Sequence, residues 1–324
     1  MYSVSSGMAH CEMRIWSWKD VTGKVAGDCG CPGGLLFRAE LKTLLAHMRI
    51  MFVGDSNTRS AFHAMADETI DNYNFEEQSI SKSHSDLAKE IPGIDTTIEY
   101  KWAPFISNIT QTLGQIKSLR PMPDVLALGA GLWDVLHVHD LEKTRKEIEK
   151  MNKALHSLMN PTNGVKYTPP MTVWIPPLTI INSELRAPDK IKYMTEEQVA
   201  EFRKMTDESE LSATVSLTIN SERVSGAYVG IGDGVHYQAG VYHVLSQLIA
   251  NGMKVVLPPP PSPPVKSKPT GSMSFPLSGF AMVVMAAVML FTMDSFFGIG
   301  YAALRIFGLK LDWALAYAPI MEQL

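Results

Sequence analysis

Gly54-Asp55-Ser56 and Asp233-Gly234-Val235-His236 stand far apart in the chain. Between them they hold a hydroxyl, an imidazole and a carboxylate. A serine hydroxyl is unreactive at its own pKa and needs a base within hydrogen-bond reach. An imidazole is such a base, and a carboxylate on its second ring nitrogen fixes the tautomer and stabilises the imidazolium. The types point to acyl transfer, with Ser56 as nucleophile, His236 as base and later acid, and Asp233 as orienter. Either segment alone is weak. Gly-Asp-Ser is ordinary turn chemistry, and a second Asp-x-x-His occurs at Asp134 and His137.

Order and placement strengthen the reading. The apolar run 50–53, Ile-Met-Phe-Val, reads as a buried strand that stops at Gly54. A helix-like stretch begins near Thr58. Ser56 therefore falls on a tight strand-to-helix turn, where backbone N–H groups favour developing negative charge. Further strands are expected near 97–102, 125–128 and 172–175, with a weaker one near 215–219. Helices are expected near 41–46, from 60 onward, over 141–159 and over 195–205. After His236, the apolar positions Val241, Val244, Leu245, Leu248 and Ile249 mark a last helix, which Gly252 is expected to stop. The polar stretch 67–90 reads as loop and surface helix. Alternating strands and helices predict an α/β domain in three layers, α/β/α, around a parallel sheet. Ligands bind such sheets at the carboxyl ends of the strands, where Ser56, Trp102, Gly131 and Pro176 all fall.

The Gly54-Asp55-Ser56 block with Asp233-x-x-His236 resembles the SGNH (GDSL-like) hydrolase superfamily. Within it the chain looks most like the luminal catalytic domain of the Cas1-type sialic acid and polysaccharide O-acetyltransferases. The residues that carry the second likeness are Val53-Gly54-Asp55-Ser56-Asn57-Thr58-Arg59, Trp102-Ala103-Pro104-Phe105, Gly131-Leu132-Trp133 and the segment 182–197. The resemblance spans 49–252 in separated blocks. It implies a three-layer fold, a Ser56–His236–Asp233 triad and a reaction on an acyl ester. In the superfamily the third block supplies an asparagine to the oxyanion hole; here Trp133 stands in its place, as in the Cas1-type proteins. The Ser56 N–H is then the first oxyanion donor, with Asn57 and the backbone at Gly131 as candidates for the rest. Trp102 and Trp133 are candidates to stack on a sugar ring, or are core aromatics.

Three activities fit this resemblance: O-acetylation of a glycan hydroxyl, hydrolysis of a carbohydrate or lipid ester, and glycan binding by a degenerate domain. The triad favours the first two. For transfer, acetyl-CoA is a candidate acyl donor, the sequence itself does not specify one, and the triad needs no bound cofactor. The Cas1-type likeness places the catalytic domain at a membrane, in the lumen of the Golgi or another secretory compartment.

The 324 residues carry a net charge of −4 and 46% hydrophobic side chains. That is enough chain for one sizeable core. With no basic stripe, nucleic acid is not an expected partner; a hydroxylated substrate and a membrane are. His137-Val138-His139-Asp140 looks like a metal triplet but lacks a second ligand cluster, so no metal is expected. The 3 cysteines, Cys11, Cys29 and Cys31, permit one disulfide, free thiols or, with His10, a zinc site.

The domain plan is an N-terminal lead-in (1–47), the catalytic domain (48–257), a Pro-rich linker (258–276), an apolar membrane-anchor segment (277–309) and a tail (310–324). The run 277–293, extended back to Phe275, reaches the length of one spanning helix. No signal peptide is visible in 1–21, which holds Glu12, Arg14, Lys19 and Asp20. The sequon Asn108-Ile109-Thr110 permits a secretory compartment.

Overall fold

The computed structural model describes residues 35–79, 84–160, 167–226 and 233–257. Its elements run α1 (Arg38–Leu45), β1 (Arg49–Gly54), α2 (Ser56–Thr69), α3 (Phe75–Ser79), β2 (Leu87–Ile91), β3 (Thr96–Trp102) and α4 (Ile106–Ile116). There follow β4 (Val125–Gly129), α5 (Leu132–His137), α6 (Leu141–Met159), β5 (Met171–Trp174) and a 3₁₀ turn (Asn182–Glu184). The last are α7 (Pro188–Tyr193), α8 (Glu196–Glu208), α9 (Leu211–Thr214), β6 (Leu217–Thr218), α10 (Ser221–Gly226) and α11 (Ala239–Val256).

The sheet has the order β2-β3-β1-β4-β5-β6. All neighbours are parallel except β2, which runs antiparallel to β3 at the edge. The first strand therefore lies inside the sheet, between β3 and β4. The chain builds one side of β1, then crosses to the other. That change of direction opens a crevice at the carboxyl end of β1.

Strand side chains alternate between faces, and β1 feeds two cores. Ile50 and Phe52 pack with Phe62, Met65, Tyr242 and Leu245 from α2 and α11. Met51 and Val53 pack with Ile109, Leu113, Met151, Leu155 and Phe202 from α4, α6 and α8. This is the expected three-layer α/β/α arrangement. Each fully buried Leu, Ile or Phe contributes roughly 1.5–3 kcal/mol relative to exposure. Helix α6 follows the sequence pattern: Ile148, Met151, Leu155 and Leu158 face inward, and the Asp140 carboxylate accepts from the Lys143 N–H at 3.0 Å.

Three expectations need correction. The polar stretch 67–90 contains a strand, β2, and the sheet is mixed rather than all parallel. As an edge strand, β2 buries only Ile91, so its residues lack the apolar run that marked the inner strands. Gly252 does not stop the last helix, which continues to Val256 with Gly252 buried inside it. Packing outweighs the cost of a helical glycine, about 1 kcal/mol. Helix α4 was not anticipated, although Ile106, Ile109, Leu113 and Ile116 form its buried stripe.

Among the described residues no helix is long and apolar enough to cross a membrane. The linker 258–276, the expected anchor 277–309, the tail 310–324 and the three cysteines lie outside the described residues.

Candidate active site

The nucleophile turn is built by close backbone approach. A Cβ on Gly54 would stand 1.9 Å from the Gly129 carbonyl oxygen, so β1 and β4 can meet here only through glycine. The Asp55 N–H donates to the same carbonyl at 3.2 Å, and the Thr58 hydroxyl reaches it at 2.8 Å. From β3, the Tyr100 hydroxyl spans the carbonyls of Gly54 (2.9 Å) and Asp55 (3.0 Å). The turn is thus tied to both neighbouring strands.

Asp55 is the N-cap of α2, and its carboxylate accepts from the N–H groups of Asn57 (3.0 Å) and Thr58 (3.3 Å). Such caps stabilise by about 1 kcal/mol. Burial raises the Asp55 pKa to about 6 against those two bonds and the charges of His236 and Arg59. The cap engages the second and third N–H groups of the helix. The N–H of Ser56, the first residue, is not among those it holds.

Ser56 meets its partners as the motif anticipates. The Ser56 hydroxyl donates to His236 Nε2 at 2.8 Å, and His236 Nδ1 lies 3.1 and 3.2 Å from the two Asp233 oxygens. With the proton on Nδ1, the ring donates to the carboxylate and accepts from the serine. Asp233 Oδ1 also accepts from the Val235 and His236 N–H groups, at 3.0 and 2.9 Å. Partial burial alone would raise its pKa. The His236 and Lys190 contacts and the backbone N–H outweigh that and hold Asp233 well below the usual carboxylate range. Asp233 is therefore ionised across neutral pH.

Gly131, with φ of 130°, caps α5 two residues past the end of β4. A side chain there would strike the Phe202 ring, 2.3 Å from the ideal Cβ position. Its backbone lies along the sheet edge that carries Ser56, because Gly54 and Gly129 are register partners. Asn57 sits differently from a free donor. Its N–H serves the Asp55 cap, its Oδ1 accepts from the Tyr242 hydroxyl at 2.6 Å, and its buried Nδ2 has no hydrogen-bond partner among the described residues.

Trp102, at the end of β3, and Trp133, in the first turn of α5, meet edge to face at 5.7 Å. His84 stacks on Trp102 at 4.4 Å, and Phe105 and His137 flank Trp133. Both tryptophans are half-buried. Together they form an aromatic shelf on the β3 side of the crevice.

The remaining histidines have other partners. His63 Nδ1 meets the Tyr73 hydroxyl at 2.7 Å, and burial lowers its pKa to about 4. His243 lies between Asp67 and Glu68. His139 stacks on Tyr193. No cluster of three metal-ligating side chains occurs among the described residues. Lys190 went unread in the sequence, because a lysine in a polar segment carries no signal of its target.

The arrangement can activate a serine, hold an acyl group on it and protonate a leaving group. A parallel-dominated three-layer sheet with serine after β1 and Asp-x-x-His before the last helix defines a class. The arrangement resembles the one expected of the SGNH (GDSL-like) hydrolases. No family model matches the chain. Among curated proteins it is similar to Protein ALTERED XYLOGLUCAN 9 of Arabidopsis thaliana, at 21% identity over 259 residues, covering 75% of this chain and 69% of that protein. Among solved structures it is similar to Est24, a carbohydrate acetylesterase from Sinorhizobium meliloti. That match has a TM-score of 0.43 at 15% identity and covers 64% of this chain and 99% of Est24. The M. smegmatis aryl esterase follows at 0.42 and 12%, covering 65% of this chain and all of that one, 100%.

Proposed function

We propose that this domain is a serine-dependent acyltransferase that moves acetyl groups onto a polysaccharide hydroxyl. The observation that carries the reading is the hydrogen-bonded chain from Ser56 through His236 to Asp233. His236 Nε2 takes the Ser56 proton as Oγ attacks the acetyl carbonyl. The Ser56 N–H and the Gly131 N–H are the proposed donors to the oxyanion, with Asn57 Nδ2 as a third candidate. Collapse breaks the bond to the leaving group, which departs with the proton from His236. A sugar hydroxyl then gives its proton to His236 as it attacks the acetyl-Ser56 ester, and as the acetyl–Oγ bond breaks His236 returns that proton to Ser56 Oγ, restoring the free serine.

Trp102 and Trp133 form the proposed sugar platform, since aromatic faces pack well against the C–H faces of a pyranose ring. The similarity to a protein named for altered xyloglucan supports a xyloglucan-like polysaccharide as acceptor, and acetyl-CoA is the proposed donor. Residues 277–309 are the proposed membrane anchor, behind a stiff 258–276 spacer, with the catalytic domain in a secretory lumen.

Hydrolysis is the second reading, with water in place of the sugar hydroxyl. It is favoured by the openness of the base: the His236 side chain is 43% exposed, so water reaches the site. Incubation with acetyl-CoA and xyloglucan or sialylated oligosaccharides, beside a simple acetyl ester, separates the two. Acetylated glycan establishes transfer; free acetate alone establishes hydrolysis. Neither product from any ester would sink both readings.

A further inference from the structure

We infer that Lys190 is a positioning residue of the triad: its ammonium holds Asp233, and through it the His236 ring, in the geometry that serves Ser56. This rests on the triad reading above.

Lys190 Nζ donates to Asp233 Oδ2 at 2.8 Å. The lysine comes from α7, the aspartate from the turn before α11, so the contact joins two separate segments. The loop before α7 is fastened to the same turn, because the Ile181 N–H donates to the Gly234 carbonyl at 3.0 Å. The lysine side chain is only 24% exposed, and its target 44%. The carboxylate is thereby divided. Oδ1 takes two backbone N–H groups, Oδ2 takes the ammonium, and the His236 ring lies about equally far from both oxygens. Two backbone N–H groups hold Oδ1, and the ammonium is the second donor, beside the His236 ring, to Oδ2 among the described residues.

The charge has a second effect. A cation on the far side of the carboxylate offsets part of the negative potential at the imidazole. It makes protonation of the ring harder. The other groups that face the triad are fixed in kind. Asp55, on the nucleophile turn, senses the His236 charge, and Tyr242 on α11 senses Asp233. Lys190 is the cation with a direct contact to the triad carboxylate among the described residues.

The sign follows. Removing the ammonium leaves the Asp233 charge beside the ring unopposed, so the acid limb of activity should move to higher pH. Lys190→Met and Lys190→Arg in the full chain provide the test. The reaction of Ser56 with a fluorophosphonate probe is followed against pH, together with the His236 imidazole titration by NMR. Neither readout needs the acyl donor or acceptor to be known. Lys190→Met should slow labelling several-fold at pH 6 and raise both midpoints, with thermal stability nearly unchanged. Lys190→Arg should restore the parent midpoints. Unmoved midpoints in Lys190→Met overturn the inference, as does an arginine variant that behaves like the methionine one. If the probe labels another serine in the parent, the triad reading fails, and the NMR titration of Lys190→Met still decides what the lysine does to His236.

Discussion

The chain contains the same four-residue spacing twice, and the two copies do unrelated work. Asp233 and His236 face each other on a half-exposed turn, and His236 reaches Ser56. Asp134 and His137 lie in α5 and turn apart. The Asp134 carboxylate is buried and accepts from the Ile106 N–H at 3.0 Å, closing the start of α4. His137 is exposed against Trp133 and Phe105. The electrostatic outcomes are opposite. Asp233 has four donors around it and stays ionised; Asp134 has few, and burial raises its pKa to about 7. An Asp-x-x-His is therefore only a spacing. Its chemistry comes from which donors surround the carboxylate and whether a nucleophile lies within reach of the ring.

The sharpest break of this comparison removes what only one copy touches. Ser56→Ala should lower acyl transfer or ester cleavage on the order of 10⁴-fold and abolish fluorophosphonate labelling, with an unchanged circular dichroism spectrum. Full activity in that variant would show that neither copy has a nucleophile.

His236→Ala should cost nearly as much, because triad members act as a unit. His137→Ala should change turnover of a small acetyl ester by no more than a few-fold. The reverse ranking, read from kcat/KM, would assign the roles to the wrong copy.

The two aspartates should separate activity from stability. Asp233→Asn should depress turnover about a thousandfold with little change in melting temperature. Asp134→Asn should act on the pH dependence of unfolding. A carboxyl whose folded pKa lies above its unfolded value binds its proton more tightly when folded. Its contribution is present at low pH and fades between about 4 and 7, with a slope of at most ~1.4 kcal/mol per pH unit. Asparagine cannot ionise, so urea midpoints of Asp134→Asn should fall less than those of the parent from pH 4 to pH 7. Parallel curves would mean that Asp134 is ionised in the fold.

The smallest expected effect is at the shelf beside His137. Trp133→Ala should raise KM for an oligosaccharide acceptor several-fold while changing small-ester kinetics less. Equal changes for both substrates would make the shelf part of the core.

Much of the candidate site was legible because its physics is local. A buried strand ending in Gly-Asp-Ser, and a carboxylate three residues before a histidine, are short-range patterns. The inner strands and α6 were legible for the same reason, through runs and periods of apolar residues. What the sequence did not disclose depends on distant partners. Lys190 meets Asp233 across 43 positions, and Tyr100 bonds the Gly54 carbonyl across 46. Strand β2 was missed because an edge strand with one wet face reads as a polar loop. Gly252 misled because helix propensity is weaker than the packing of α11 on the sheet.

The way the nucleophile and its base are mounted has a further consequence. Ser56 opens a helix whose inner residues, Phe62, Met65 and Ala66, are wholly buried. His236 sits on a half-exposed turn kept in place by one carboxylate, one ammonium and a few backbone bonds. The two halves of the site therefore belong to regions of different local stability. Under rising urea the turn should open first, so catalysis disappears while the sheet is still folded, and returns on dilution without the chain having to refold.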